Sequence, residues 1–276
     1  MQKYKLIALD LDGTTVKSRN KISKKNQRTI KWALENDIKV VIATGRSLGA
    51  MRKVIEKLKL AEYNMPVVSF NGSVIYDVKN DKIIKHNYFE TKEAITFFEQ
   101  AKKDKVSLWA YSVSNDKLAY INNKNSLMVK WMSFHTHRKT RVFSQVKNFN
   151  DQIYKFVISG KKANVFSFRK TIENNFECNI FDWSYVSKSN LNLEICPVTS
   201  DKKHALEFIA KKYNIAPEEI IAMGDGSNDI EMLKWAGLGI AMGNAKKQVK
   251  AIANDVTAHH KKSGVAKAIE KHVKIQ

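Results

Sequence analysis

The sequence predicts an α/β protein, a doubly wound parallel sheet interrupted by an inserted α+β domain. Three observations carry that expectation. Short apolar runs alternate with helical stretches at both ends of the chain, each run stops at a small polar or acidic residue, and the texture from about Asp81 to Asn190 changes before the earlier pattern returns. At 276 residues the chain has room for two modest domains, and 43% hydrophobic residues with only 11 Gly and 3 Pro exclude disorder and linker-dominated architectures.

The elements follow in order. Tyr4 to Leu11 is a continuous apolar run ending in Asp10, Asp12 and Gly13, the pattern of a strand buried on both faces. A helix is predicted from Ser23, a plausible N-cap, to Asn36, with Ile30, Ala33 and Leu34 on one face. Ile38 to Gly45 repeats the strand pattern, Ser47 to Leu58 the helix, and Pro66 to Gly72 the strand. Within the insertion, Ser107–Tyr111 and Lys117–Ile121 flank a turn as a hairpin, and helices occupy Thr91–Lys103 and Ala163–Asn175. After Lys202 come a helix to Tyr213, the strand Ile220–Asp225, a helix from Asp229 to Trp235, the strand Leu238–Met242, and short helices near Ala245 and Val265. The expected division is therefore residues 1–80 plus 191–276 as one discontinuous domain and 81–190 as the insertion, with hinges near Tyr76–Asp81 and Ser187–Asn190.

Composition narrows the function classes. Lys and Arg outnumber Asp and Glu by 48 to 27, a net charge of +21, but only seven of the basic residues are Arg and the Lys are scattered. That reads as solvated surface and disfavours nucleic acid as the main partner, since planar phosphate and base recognition favours Arg. Cys178 and Cys196 show no metal-ligand spacing and point to a reducing compartment. The first apolar run is broken by Asp10 and Asp12, so it is no signal-peptide core, and no run reaches a membrane span. A cytoplasmic protein without a membrane partner is expected.

In an open parallel sheet, ligands sit beyond the carboxyl ends of the strands, so the residues ending each run should converge. These are Asp10, Asp12 and Thr14; Thr44, Gly45 and Arg46; Asn71 and Gly72; and Asp225, Asn228 and Asp229. Carboxylates gathered at one edge repel one another unless a hard cation neutralises them, and oxygen ligands with few histidines point to Mg²⁺.

Asp-Leu-Asp-Gly-Thr-Thr at 10–15, Thr-Gly-Arg at 44–46 and Gly-Asp-Gly-Ser-Asn-Asp at 224–229 jointly resemble the haloacid dehalogenase superfamily of phosphohydrolases, over essentially the whole chain. An insertion after the third strand is similar to the Cof-type branch, which carries an α+β cap of the second type (C2B-like) on a Rossmann-like core. The resemblance implies Asp10 as nucleophile forming an aspartyl phosphate and Asp12 as general acid, then general base. It also implies a Mg²⁺ site from Asp10, the Asp12 backbone carbonyl and Asp225, with Asp229 supporting. Thr44, Gly45, Asn228, the backbone amides at Leu11 and Asp12, and a Lys ahead of a late helix would hold the phosphate. Matching Lys202-Lys-His-Ala-Leu to the family's Lys-Gly-x-Ala-Leu selects Lys202, with Lys203 as the alternative register because the Gly is absent. Arg46 and Asn71 either touch substrate or shape the cap hinge; an exposed first-turn residue and a plain turn are the other readings.

The cap's aromatics Trp109, Trp131, Phe134, Trp183 and Tyr185 could line a leaving-group pocket or simply pack the core. Where relatives tend to carry Asn and acidic residues, this chain reads His259-His-Lys-Lys-Ser-Gly-Val, a more basic rim. The resemblance implies a Mg²⁺-dependent phosphomonoesterase acting on small phosphorylated metabolites, sugar phosphates foremost. A phosphomutase and a nucleic-acid-binding protein on the same scaffold are the alternatives.

Overall fold

The computed structural model describes residues 3–18, 20–182 and 189–273. Trp183, Tyr185 and the first half of the expected hinge at Ser187–Asn190 lie outside them. The amino-terminal segment runs β1 (Leu6–Leu9), β2 (Val16–Ser18), β3 (Lys21–Ile22), α1 (Lys24–Glu35), β4 (Lys39–Ala43), α2 (Leu48–Lys57), β5 (Pro66–Ser69), β6 (Val74–Asp77) and β7 (Lys82–His86). The middle segment follows with α3 (Thr91–Lys103), β8 (Ser107–Ser112), β9 (Leu118–Ile121), α4 (Leu127–Thr136), β10 (Lys139–Val142), β11 (Ile153–Lys161), α5 (Lys162–Asn175), β12 (Cys178–Asp182) and β13 (Asn190–Pro197). Then come α6 (Lys202–Lys212), β14 (Ile220–Gly224), α7 (Ile230–Trp235), β15 (Leu238–Ala241), α8 (Lys247–Ile252), β16 (Asp255–Val256) and α9 (Gly264–His272).

The chain divides into two compact units, residues 1–86 with 201–276 and residues 87–200. The first unit holds an eight-stranded sheet ordered β16-β15-β14-β1-β4-β5-β6-β7. From β16 to β5 all pairings are parallel, whereas β6 and β7 add on antiparallel at the edge. β1 is central and fully buried, and the chain leaves it toward β4 on one side while β14 returns on the other. That is a topological switch point, which opens a crevice at the carboxyl end of β1. Helix α1 begins where the sequence suggests, with Ser23 Oγ accepting from the Asn26 amide at 3.0 Å. Asn26 is itself buried; its Nδ2 donates to Thr15 O at 3.4 Å and its Oδ1 accepts from Ala266 N at 3.1 Å, which ties α1 and α9 to the loop after β1.

The second unit is a six-stranded sheet ordered β10-β9-β8-β11-β13-β12. Its antiparallel β8–β9 pair is the expected hairpin, and α3 and α5 cover one face through Phe97, Phe98, Phe168 and Ile172. Helix α4 was not anticipated: Leu-Met-Val-Lys-Trp-Met-Ser-Phe is apolar nearly all round, so no single face stands out, and Leu127, Trp131 and Phe134 are exposed while Val129 and Met132 are buried.

Both unit boundaries differ from the expected 80/81 and 190/191. β7 pairs with β6 in the first sheet, and its exposed Lys82-Ile-Ile-Lys-His reads as linker only because it is an edge strand. β13 pairs with β11 and β12 in the second sheet, with Leu191, Leu193 and Ile195 directed to that unit's core.

Candidate active site

The loop after β1 is shaped by its own backbone. Leu11 O accepts from the amides of Thr14, Thr15 and Val16 at 3.0–3.3 Å, and Thr15 Oγ1 donates to Asp10 O at 2.6 Å, so the chain curls back under Asp10. Gly13 has φ +79, and a Cβ there would lie 2.2 Å from Asp225 Oδ2. Only glycine lets the first motif approach the Asp225 carboxylate this closely.

Asp10 and, more than two hundred residues later, Asp225 and Asp229 offer carboxylate oxygens that all lie within 4.8 Å of one another. Lys202 sits among them from the first turn of α6, its side chain fully buried, with Nζ 2.7 Å from Asp10 Oδ1 and 2.6 Å from Asp229 Oδ1. Lys203 is instead paired with Glu207 at 2.9 Å on the outer face of α6, so Lys202 is the lysine that reaches the acids. The α6 start is fixed by Asp201, whose Oδ1 accepts from His204 N at 2.8 Å, and by Gly72, with φ +114 and a hypothetical Cβ 2.2 Å from Asp201 O. His204 serves that cap, with its Nδ1 2.6 Å from Asp201 Oδ2.

The electrostatics follow from crowding. Burial pushes the Asp10 carboxyl well above its usual range, Lys202 opposes the rise, and Asp229 and Asp225 add to it. Burial and then Asp229 push Asp225 up to about 7, against the opposing effects of Lys202, Thr14 and Asn244. Burial alone would lower the Lys202 ammonium, but the carboxylates of Asp10 and Asp229 overcome it and hold the proton more tightly than in water.

Asp229 is committed within the protein: Oδ1 meets Lys202 and Oδ2 accepts from the amides of Asp225 and Gly226, both at 2.9 Å. Asp225 is held more loosely, by Thr14 Oγ1 at 3.3 Å and Asn244 Nδ2 at 3.0 Å. Three carboxylates against one ammonium leave a formal charge of −2 in a donor set made wholly of oxygen, which fits a hard divalent cation. Of the three, Asp225 is the carboxylate least committed within the protein, whereas both oxygens of Asp229 are already bonded.

The Asp12 carboxylate stands apart from this cluster. It is gripped side-on by Arg46, with Nε 2.7 Å from Oδ2 and Nη2 2.6 Å from Oδ1, and Arg46 Nη1 is anchored on Asn20 Oδ1 at 2.6 Å. The Asp12 side chain is 60% exposed whereas that of Arg46 is 17% exposed, so the buried partner positions the accessible one. Arg46 therefore does not project freely into solvent. Thr44 is buried at the end of β4, where its Oγ1 accepts from Arg46 N at 3.2 Å. Gly45 lies in the loop between β4 and α2, which starts at Leu48 with Ser47 as its cap, where the sequence predicts it. Asn71, buried with φ 59, accepts at Oδ1 from Asn228 Nδ2 at 2.9 Å and joins the third strand end to the fourth.

One contributor escaped the sequence reading. Asn244 follows β15 and reaches Asp225, donates to Gly13 O at 2.8 Å, and accepts at Oδ1 from His260 N at 2.9 Å. The signal was present, a small polar residue just after an apolar strand, but that rule was applied to β14 and not to β15. Through Asn244 and through His260 Nδ1, 2.8 Å from Val16 O, the basic His259–Lys262 turn is fastened beside the first loop.

Comparison with known proteins agrees with this geometry. Residues 7–269 match the haloacid dehalogenase-like hydrolase family. The 5-amino-6-(5-phospho-D-ribitylamino)uracil phosphatase YcsE of Bacillus subtilis (strain 168) is 31% identical over 265 residues, covering 96% of this chain and 94% of that protein. A haloacid dehalogenase-like hydrolase from Bacteroides thetaiotaomicron superposes with TM-score 0.80 at 28% identity, over 97% of this chain and 99% of that one. The subclass IIB sugar phosphatase BT4131 shares the fold, with TM-score 0.80 at 23% identity over 97% and 98% of the two chains. With its acids and lysine meeting at the switch point of the sheet, this chain belongs to the haloacid dehalogenase-like hydrolase family, among its phosphatases.

Proposed function

We propose that the protein is a Mg²⁺-dependent phosphomonoesterase that cleaves small phosphorylated metabolites, sugar phosphates foremost, through an aspartyl phosphate on Asp10. The observation that carries the reading is the Asp10–Lys202–Asp225 arrangement at the carboxyl end of β1, with Lys202 2.7 Å from Asp10 Oδ1. Lys202 restrains Oδ1 and leaves the other oxygen to attack phosphorus. As that O–P bond forms, the bond to the leaving alcohol breaks and Asp12 gives the alcohol its proton. Asp12, then a carboxylate, takes a proton from water as the water attacks phosphorus, which releases phosphate and restores Asp10. Arg46 keeps Asp12 in place for both transfers. Lys202, Asn228, Thr44 and the amides of Gly45 and Leu11 supply cationic and neutral donors for phosphate oxygens, while Asn71 holds Asn228. When bound through Asp10 and Asp225, Mg²⁺ would offset the repulsion between the carboxylates and the incoming phosphate.

The relative named for a phosphoribitylamino-uracil substrate and the fold neighbour named as a sugar phosphatase both favour a phosphate ester on a polyhydroxylated carbon chain. Cys178 and Cys196, two thiols without metal-ligand spacing, favour a reducing, cytoplasmic setting. The test is a panel of sugar, polyol and nucleotide monophosphates assayed for phosphate release with Mg²⁺ and with a chelator. Release should require the ion and favour sugar or polyol phosphates; release of equal rate in chelator would refute the metal dependence.

A further inference from the structure

We propose that the second unit carries an oxyanion-binding site of its own, recognised by the guanidinium of Arg138, on the sheet face opposite α3 and α5. Along β8 the side chains alternate: Leu108 and Ala110 enter the core under the helices, so Trp109 and Tyr111 face the other way. Arg138 comes to that face from the end of α4, where His137 adopts φ 51 and reverses the chain. Its guanidinium lies 4.9 Å from the centroid of the Tyr111 ring, and the residue is only 9% exposed.

Among the described residues Arg138 forms no ion pair. Its one hydrogen bond, from Nη1 to Leu118 O, is long at 3.4 Å, and among the described residues no Asp or Glu lies within ion-pair distance of it. The neighbouring cation Lys155, 5.5 Å from the same ring, is different, because Glu194 neutralises it at 2.8 Å. On the same face the indole Nε1 of Trp109 is buried beside the Tyr111 hydroxyl, without a hydrogen bond of normal geometry. Residues 117–150 contain seven Lys or Arg and no Asp or Glu; Asp116, just ahead of them, acts on Arg138 electrostatically but lies beyond ion-pair distance. A buried guanidinium without an ion-pair partner is costly, and among the described residues most of its planar fork has no hydrogen-bonded acceptor. A carboxylate or phosphate would meet that fork bidentately, with Trp109 as a further donor. The ligand class is therefore a small oxyanion, either free or as a second anionic group on a metabolite.

The test uses ¹⁵N-labelled full-length Asp10→Asn protein, which cannot turn substrate over, so the outcome does not depend on the phosphatase reading. The Trp109 indole resonance, assigned with Trp109→Phe, is followed while inorganic phosphate or malonate is added. A saturable shift is expected, with affinity weakened about tenfold or more by Arg138→Gln. Arg138→Lys keeps the charge but removes the fork and should also weaken binding, which covers the case of a Gln variant that fails to fold. KM then separates the sources. A second anionic group on the substrate predicts a KM increase confined to bis-anionic substrates in Arg138→Gln, and a free anion predicts KM unchanged. A Trp109 resonance that neither anion moves, or that shifts equally in Arg138→Gln, would overturn the proposal and leave Arg138 as a packing partner of Tyr111.

Discussion

Lys202 is the side chain on which the charge balance of the site turns, because it is the buried cation paired with both Asp10 and Asp229. Replacing it by Met leaves two buried carboxylates without their counter-charge, a change that costs about 3–5 kcal/mol. Lys202→Met is predicted to melt roughly 6–20 °C lower than wild type by calorimetry and to release no phosphate. An unchanged melting temperature would show that the pairing contributes nothing to the fold. Asp10→Asn, by contrast, keeps shape and removes the nucleophile, so turnover should vanish with little change in melting; residual turnover of more than a trace would remove Asp10 from that role. At Asp12 the prediction concerns position. Arg46→Ala frees the carboxylate to rotate, and kcat should fall about 10- to 100-fold with a smaller change in KM. Equal loss in both constants would make Arg46 a substrate contact instead. Asp10, Asp12 and Arg46 are legible in the sequence because each follows an apolar run, and Lys202 through the family resemblance; Asn244 obeys the first rule and becomes visible only through its bond to Asp225.

At the level of elements, the strands of the first sheet were readable because buried parallel strands are written as uninterrupted apolar runs, as Leu6–Leu9 and Ile220–Gly224 are. The edge strand β7, with both faces partly wet, carries no such signal, and neither does the three-residue β2. Gly72 illustrates how an element places a side chain. Its close approach to Asp201 sets the start of α6 and hence Lys202, so Gly72→Ala should lower both melting temperature and kcat, whereas Gly49→Ala, with open space around it, should lower neither. The packing of β16 against α9 makes a pH prediction. The hydrogen bond from Lys271, joined by that from His272, holds Asp255 down at about 2 against the opposing effect of burial. A depressed carboxyl stabilises the fold above its unfolded value near ~4 and loses that contribution as pH falls toward 2. Asp255→Asn should therefore melt about 1–3 °C lower at neutral pH, with the gap closing between roughly pH 4 and 2; a gap independent of pH would contradict the ion pairs.

For the whole molecule, the net charge of +21 invites a polyanion, yet the acids at the switch point make a phosphate ester the better-matched ligand. No helix among the described residues is long and apolar enough to cross a membrane. The two-unit organisation was legible as a change of texture, and its boundaries were not, because a boundary set by strand pairing leaves no mark where the paired strand is polar, as in β7. The rival chemistries separate in solution. A mutase would return an isomer and little free phosphate, and a nucleic-acid binder would hold DNA or RNA with an affinity that collapses as salt rises.

The most direct test of the central claim is the melting temperature of wild type and Asp225→Asn with and without Mg²⁺. Without the ion, Asp225→Asn should be at least as stable as wild type, since it removes one of three mutually repelling carboxylates. With millimolar Mg²⁺, wild type should gain several degrees and Asp225→Asn little, as expected when a ligand binds the folded state alone. A wild type indifferent to Mg²⁺, or a variant stabilised to the same degree, would contradict the claim that these acids are gathered to hold a divalent ion.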